Sequence, residues 1–302
     1  MTSLAIWLTV PVLFYLLYRA AIWGGSKVIL RSYRRPPSKV RSEFGYEHPD
    51  DLNIPNEALA VEVEPGIVLT GWLMRSTAPP RGLLVHLHGI WDSCRPRLPL
   101  AARMLPHGFD CVFYDSRGNG ESGGRYCTYG LKEKFDLIKV IDAVAAMGVD
   151  TSRIALVGHS MGGATAVYAS EIDPRIKALV LEACYRDLPS AIFDYARVFV
   201  PFLPRFIIQG STRIAMAKGE FNPDELSPLK AMPQIEIPAL VVQGTRDVRI
   251  KPHYARELFD AKPEPKELCM IEGARHGRLA FEGGEAYMAR LEAWLCEQFP
   301  IC

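Results

Sequence analysis

The sequence lacks the compositional features that mark several classes of protein. Its 35 basic and 34 acidic residues leave a formal net charge of +1 at pH 7, so charge gives no support to nucleic acid as a partner. The seven cysteines include no C-x-x-C pair, and no zinc or other metal site is indicated. Because the number of cysteines is odd, at least one has no partner within the chain, which favours a reducing compartment.

Long apolar runs are also scarce, with one exception at the N-terminus. Residues 4–23 are apolar apart from Thr9, Pro11, Arg19 and the tyrosines, long enough to cross a hydrocarbon layer of about 30 Å as a helix. No basic residue precedes the run and no small-x-small site follows it, which argues against a cleaved signal peptide. We therefore expect residues 1–25 to form a transmembrane anchor.

Basic residues follow this run, and the positive-inside rule predicts that the rest of the chain lies in the cytoplasm. The alternative is a helix that docks on the globular part, since Pro11 and Arg19 weaken a membrane span. Residues 26–57 are basic and contain prolines, a composition that predicts a linker.

Residues 58–302 are predicted to form one α/β domain. Two alternating segments around Pro65-Gly66 indicate a hairpin. Six buried-strand patterns follow at 83–87, 111–114, 154–157, 178–181, 239–242 and 268–271. Helical patterns separate most of them, the clearest at 132–147 with Phe135, Ile138, Ile141 and Val144 on one face. Right-handed crossovers then require a mostly parallel sheet flanked by helices.

One long segment, 185–232, interrupts this alternation of strands and helices. It is rich in aromatic residues and precedes the strand at 239. We predict a small helical cap over the carboxyl edge of the sheet. Its aromatic side chains either face a substrate or only pack the cap on the core.

A G-x-S-x-G sequence at 158–162 lies between an apolar strand pattern and a helix of small residues. This context is typical of a nucleophile elbow, in which a side chain at Gly158 or Gly162 would collide with the neighbouring backbone. Ser160 is the predicted nucleophile, and the amide of Met161, at a helix N-terminus, is a predicted oxyanion donor. A second match centred on Ser122 has no adjoining strand or helix and is rejected.

Further motifs make residues 58–300 resemble the α/β-hydrolase superfamily of serine hydrolases. The sequence His88-Gly89-Ile90 after a strand is similar to the family's oxyanion loop, and residues 115–122 resemble its D-x-R-G-x-G-x-S signature. Triads of the family run in the order serine, acid, histidine. The resemblance implies Asp247 as the acid and His276 as the base. It also implies the Ile90 amide as a second oxyanion donor.

One other carboxylate competes for the role of the acid. Glu182 directly follows the strand at 178–181, and strand ends are where this fold carries its catalytic groups. Other histidines and carboxylates have more ordinary structural explanations.

The residue set implies hydrolysis of a carboxylic ester or thioester through an acyl-enzyme, without metal or organic cofactor. The apolar cap and the anchor favour a lipid-like acyl ester as substrate and a membrane as partner. A peptidase or amidase of the same fold is the enzymatic alternative, and a non-catalytic, membrane-tethered binding relative is the other. Because the candidate site residues lie beyond position 88, we expect deletion of residues 1–34 to release a soluble, active enzyme.

Overall fold

The computed structural model describes residues 2–31 and 33–301, and it describes side chains from residue 12 onward. The strands are β1 (Glu57–Glu64), β2 (Ile67–Met74), β3 (Gly82–Leu87), β4 (Phe109–Tyr114), β5 (Ile154–His159), β6 (Ile176–Glu182), β7 (Ala239–Gly244) and β8 (Lys266–Ile271). The helices are α1 (Thr2–Leu30), α2 (Pro37–Phe44), α3 (Leu98–Met104), α4 (Glu133–Ala146), α5 (Met161–Ser170), α6 (Leu188–Phe199), α7 (Arg205–Gly219), α8 (Pro228–Ala231), α9 (Pro252–Ala261) and α10 (Leu279–Gln298).

One eight-stranded sheet of order β1-β2-β4-β3-β5-β6-β7-β8 organises the described residues. Strands β1, β2 and β4 pair antiparallel at one edge, and the remaining pairs are parallel. The central strands β5 and β7 are buried almost throughout, because helices cover both faces of a parallel sheet. The predicted α/β class is confirmed, and the six predicted strands agree with β3–β8 to within two residues.

The predicted helix at 132–147 is present as α4, but its buried face differs from the prediction. Leu137, Val140, Ile141 and Val144 are buried, whereas Phe135 is 54% exposed. These four positions follow the spacing of one helix face. Phe135 precedes Leu137 by two residues, about 200° around the helix axis, and so points to solvent.

The first helix extends further than the predicted anchor. Helix α1 continues without a break to Leu30, past the predicted boundary at residue 25. Its stretch Val12–Leu30 is long and apolar enough to cross a membrane, by length and composition alone. Signal sequences and buried core helices share that property. The buried side chains in the last turns of α1 show that this end of the helix packs against the globular domain. The buried residues there are Ile22, Ser26 and Leu30.

The segment predicted as a linker packs on the domain. It contains helix α2, whose Val40 is fully buried. Arg34 donates hydrogen bonds to the carbonyls of Ser122 at 2.5 Å and Gly124 at 2.8 Å. Arg35 forms an ion pair with Asp92 at 2.8 Å. These contacts hold residues 33–56 along the domain, as part of its surface.

The predicted cap region carries helices α6 and α7, followed by the short helix α8. Helix α6 begins after Asp187, whose carboxylate accepts from the Ser190 amide as a helix N-cap. Pro204 ends the loop between α6 and α7 and precedes the first residue of α7, a position suited to its fixed φ angle. The six described cysteines are free thiols, and four of them are buried.

Candidate active site

Ser160 occupies a strained turn between β5 and α5. Its φ and ψ angles are 53° and −112°, a conformation that is rare for a residue with a side chain. A Cβ at Gly158 would lie 2.4 Å from the Gly162 carbonyl oxygen, and one at Gly162 would lie 2.0 Å from the Leu87 carbonyl oxygen. The predicted steric need for both glycines is therefore confirmed. The turn places Ser160 where β5 ends, ahead of the first turn of α5.

Asp247 and His276 come together from loops that follow β7 and β8. His276 Nδ1 lies 2.8 Å from Asp247 Oδ2, and both side chains are largely buried. Asp247 Oδ1 accepts from the amides of Arg249 and Ile250, each at 2.9 Å, and Gln243 Nε2 donates to Oδ2 at 3.1 Å. Because a carboxylate only accepts, Nδ1 of His276 carries the proton and Nε2 is left as an acceptor.

A cap residue contacts that acceptor nitrogen. Tyr195, on α6, lies with its hydroxyl 2.8 Å from His276 Nε2, so the hydroxyl donates to the ring. Burial raises the pKa of Tyr195 to about 12, so the phenol stays neutral at physiological pH. Tyr195 thus occupies the His276 nitrogen that is not bonded to Asp247.

The two predicted oxyanion donors belong to segments that adjoin Ser160. Met161 is the first residue of α5, where a backbone amide has no partner within the helix. Gly89 precedes Ile90 in the loop after β3, and a Cβ at Gly89 would lie 3.3 Å from Ser160 Cβ. This close approach brings the Ile90 end of the loop next to the serine.

The rival acid, Glu182, has other partners. Its carboxylate pairs with Arg97 at 2.5 Å and accepts from the Tyr287 hydroxyl. The nearest histidine contact recorded for it is His159 Nδ1, at 4.0 Å. The structure therefore brings Asp247, and not Glu182, into contact with His276.

Ser122 and Asp115 form the frame of a neighbouring loop. The Ser122 hydroxyl is fully buried, donates to the Asp115 carbonyl and accepts from the Thr70 amide at 2.9 Å. The Asp115 carboxylate accepts from the Cys94 amide at 2.8 Å and from Arg95 at 3.1 Å. These contacts give both residues a structural role near the site.

An apolar cavity of about 450 Å³ adjoins Ser160 and Met161, a size that accommodates a small-molecule ligand. Ile90 and Trp91 line it from the loop after β3, and Tyr195 lines it from the cap. The Trp91 and Tyr195 rings meet edge to face at 6.0 Å. Among the described residues that line the cavity, none carries a charged side chain.

Sequence reasoning missed two contributors to this site. The first is the Tyr195 hydroxyl, since the cap aromatics were considered only as apolar groups. The second is α1, which lines the cavity with Gly25, Val28 and Ile29. The sequence does contain a signal that α1 packs on α7. On each helix, buried residues recur every four positions. They are Ile22, Ser26 and Leu30 on α1, and Ser211, Ala215 and Gly219 on α7.

Comparisons with known proteins place the site in context. The family described as serine aminopeptidase, S33, matches residues 78–228. The uncharacterised protein YqkD of Bacillus subtilis is 26% identical over 219 residues, which cover 70% of each chain. The alpha/beta hydrolase domain-containing protein WAV2 of Arabidopsis thaliana is 25% identical over 252 residues, 79% of this chain and 78% of that protein.

Solved structures show the same fold. The Pyrococcus furiosus esterase Pf2001 aligns with a TM-score of 0.70 at 21% identity, covering 90% of this chain and 98% of the esterase. An acylaminoacyl peptidase of Pyrococcus horikoshii aligns with a TM-score of 0.61 at 16% identity, covering 80% of this chain and 40% of the peptidase. At these identities the likeness concerns the fold alone.

Proposed function

This chain belongs to the serine aminopeptidase (S33) family of α/β-hydrolases, and we propose that it is a serine hydrolase of carboxylic esters or thioesters with apolar acyl groups. Ser160 is the proposed nucleophile, with His276 as base and Asp247 as acid. The amides of Met161 and Ile90 are the proposed oxyanion donors.

The hydrogen-bonding pattern supports these roles. Since Nδ1 of His276 donates to Asp247, Nε2 can take the Ser160 proton as Oγ bonds to the ester carbonyl carbon. Collapse of the tetrahedral intermediate breaks the bond to the alcohol or thiol, which leaves with the proton from Nε2. Water then attacks the acyl-enzyme, giving its proton to Nε2, and Ser160 recovers a proton as the acid departs. The hydrogen bond from Tyr195 to Nε2 must break before Ser160 can donate to that nitrogen.

The apolar lining of the cavity is the observation that carries the substrate class. An aminopeptidase substrate presents an α-ammonium group, which requires a carboxylate or several acceptors to replace its water. The described lining beside Ser160 contains no carboxylate, and apolar side chains dominate it. Transfer of an acyl chain from water into such surroundings is favourable by about 0.8 kcal/mol for each buried CH₂. The cavity thus favours a lipid-like acyl ester over a free peptide terminus.

The proposal includes membrane attachment through α1, with the hydrolase domain on the cytoplasmic side. Residues 12–17 of α1 expose their apolar side chains by more than half, which is unfavourable in water. The basic residues that follow α1 support the cytoplasmic orientation. Separation of membranes with a carbonate wash, then protease access from the outer face of intact cells, tests attachment and orientation separately.

Substrate class is tested with the purified full-length protein in detergent. A fluorophosphonate probe should label wild type and fail to label Ser160→Ala, while Ser122→Ala should still be labelled if it folds. Hydrolysis of 4-nitrophenyl esters from acetate to dodecanoate is then compared with that of amino-acid 4-nitroanilides. Preferential cleavage of the anilides would replace the ester proposal with the peptidase alternative. A folded wild type that neither reacts nor hydrolyses would support the non-catalytic alternative.

A further inference from the structure

Helix α1 forms one wall of the cavity that contains Ser160. Gly25, Val28 and Ile29 share the lining with Ser160 and Met161. A helix that served only as a tether would not need to share a cavity with the proposed nucleophile. The last turns of α1 therefore belong to the substrate-binding site.

Close packing against α7 holds this wall in place. A Cβ at Gly25 would lie 2.3 Å from Ser211 Oγ, and one at Gly210 would lie 2.8 Å from Ile22 Cγ2. Small residues at these positions allow the two helices to approach so closely. The Tyr129 hydroxyl adds a hydrogen bond of 2.5 Å to the carbonyl of Ile29. A larger side chain at position 25 would move α1 away from α7 and take Val28 and Ile29 out of the cavity wall, which removes part of the surface that would hold an acyl chain.

The mouth of the cavity lies between α1 and the end of α6. Three residues that line the cavity are nevertheless half exposed: Val28 by 57%, Phe199 by 56% and Val200 by 49%. Lining residues with high exposure mark the place where a cavity meets its surroundings. All three are apolar, so this mouth suits lipid better than water.

Apolar surface continues away from the mouth on both helical elements. On the cap, Phe202 is 92% exposed and Phe206 is 58% exposed. Phe206 contacts Tyr18 of α1, with ring centroids 5.9 Å apart, so this surface is continuous with α1. Residues 12–17 extend it along that helix.

Basic groups accompany this apolar tip of the cap. Arg197 and Arg205 both stack on Phe193, at 5.4 and 5.0 Å from the ring centroid. Arg197 also donates to the carbonyl of Pro201, next to the exposed Phe202. Guanidinium groups beside an exposed apolar surface suit the boundary between acyl chains and phosphate headgroups. The stretch of α1 that is long and apolar enough to cross a membrane, Val12–Leu30, includes Val28 at the mouth of the cavity.

We propose that a membrane lipid enters this site sideways from the bilayer that holds α1, with one acyl chain passing between α1 and the end of α6 to reach Ser160. Helix α1 is then both the anchor and the second wall of the acyl site. Hydrolysis of the bound chain rests on the function proposed above, whereas the entry and binding of the chain do not. The two can be tested separately.

The experiment uses the full-length protein with Ser160→Ala, in vesicles of phosphatidylcholine and phosphatidylglycerol. The probe is a phosphatidylcholine with a diazirine at the end of one acyl chain. After illumination, mass spectrometry maps the adducts. We expect adducts on the cap peptide 186–200 and on residues 25–29, as well as on residues 12–17, which serve as the internal control for contact with the bilayer.

Two adjacent glycines provide matched variants. Gly25→Leu should lower the yield on 186–200 at least fivefold and retain the adducts on 12–17. Gly24→Leu adds the same side chain where a Cβ meets no atom within 4 Å, and should leave the yield unchanged. Val28→Trp, which narrows the mouth without entering the contact with α7, should also lower the yield on 186–200. It provides an independent test should Gly25→Leu fail to fold.

Several outcomes would overturn the inference. The first is an absence of adducts on 186–200, and the second is an equal effect of the Gly24 and Gly25 substitutions. The third is an equal yield when the probe is supplied in separate vesicles, which would mean that the chain enters from water. If the expected adducts form but wild type hydrolyses no ester and reacts with no fluorophosphonate, the proposed function fails and the binding site stands.

Discussion

The hydroxyl of Tyr195 lies 2.8 Å from Nε2 of His276, the nitrogen that we propose as the acceptor of the Ser160 proton. One lone pair is available there, so Tyr195 and Ser160 compete for it. Since α6 carries Tyr195, the position of the cap determines which donor the histidine has. The cap therefore affects the reactivity of the serine as well as the shape of the cavity.

Tyr195→Phe should speed the reaction of Ser160 with a small fluorophosphonate. Loss of a competing hydrogen bond with a net free energy of about 0.5 to 1.5 kcal/mol corresponds to a rise of about 2- to 13-fold. Tyr185→Phe is the matched control, because Tyr185 also lines the cavity but donates to the Tyr129 carbonyl. Slower labelling of Tyr195→Phe would show instead that the phenol assists proton transfer.

Asp247→Asn should lower kcat by about 10³- to 10⁴-fold with the fold retained. The asparagine oxygen can still accept from the amides of Arg249 and Ile250. Its NH₂ group, however, would donate to Nδ1 of His276, which places the ring proton on Nε2 and removes the base. Steady-state kinetics on a short ester, with circular dichroism as the check of folding, measures this.

Glu182→Gln is the corresponding control for the other acid. It weakens a buried ion pair with Arg97, so the melting temperature should fall while kcat changes less than tenfold. A larger loss of kcat for Glu182→Gln than for Asp247→Asn would transfer the role of the acid to Glu182.

Phe199→Ala should reduce kcat/KM for dodecanoate more than for acetate esters, in detergent. Phe199 lines the cavity, and full burial of such a side chain against an acyl group corresponds to about 1.5 to 3 kcal/mol. Phe202→Ala, at a side chain that is 92% exposed, should leave both soluble esters unaffected. Equal losses on all chain lengths, with a lower melting temperature, would mean that Phe199 only packs the cap.

Truncation should separate the two roles of α1. Deletion of residues 2–21 should release a protein that retains the labelling of Ser160 and the preference for long acyl chains, since Gly25, Val28 and Ile29 remain. Deletion of residues 2–34 also removes the buried Ile22 and Leu30 and the contacts of Arg34. The sequence predicted that deletion of residues 1–34 leaves an active enzyme. Because the structure places α1 in the cavity wall, we now expect this deletion to lower stability and weaken the preference for long acyl chains.

The longer deletion should lower the melting temperature by about 6 to 12 °C relative to the shorter one. The lost apolar burial corresponds to about 3 kcal/mol of stability. For a domain of this size, each kcal/mol shifts the melting temperature by about 2–4 °C. Differential scanning fluorimetry and the ratio of dodecanoate to acetate hydrolysis provide the measurements. Identical ratios for the two deletions would contradict the assignment of α1 to the acyl site.

Stability should fall as the pH drops below about 6.5. His86 is fully buried, and burial lowers its pKa well below 6.5, the value of the unfolded chain. The unfolded state then binds the extra proton, so the stabilisation is complete above pH 6.5 and is lost towards the folded-state pKa. Between pH 7.5 and 5.5, the free energy of unfolding of His86→Leu should fall by about 1 kcal/mol less than that of wild type.

His253→Leu, at a side chain that is 55% exposed, is the control for this titration and should keep the pH dependence of wild type. Melting of the full-length variants in detergent at three pH values tests the comparison. The same slope for His86→Leu and wild type would exclude His86 as a contributor.

Local sequence specifies the order of strands and helices, the elbow around Ser160 and its requirement for two glycines. Those features depend on residues close together in the chain, so periodicity and turn chemistry specify them. It also predicted that the acid and the base follow late strands, because parallel strands bring their carboxyl ends to one edge. Position alone does not separate Asp247 from Glu182, since both follow strands, and the choice of Asp247 rests on the family resemblance.

The tertiary structure decided which side chains meet. Asp247 faces His276, while Glu182 pairs with Arg97 across the sheet edge. Tyr195 reaches His276 across 81 residues of sequence, and α1 packs on α7 through small residues that sequence patterns treat as ordinary helix positions. An apolar helix face can pack against a bilayer or against another helix. The sequence of the helix alone therefore does not show which of the two it contacts. Only the packed chain therefore shows that the first helix lines the cavity beside Ser160.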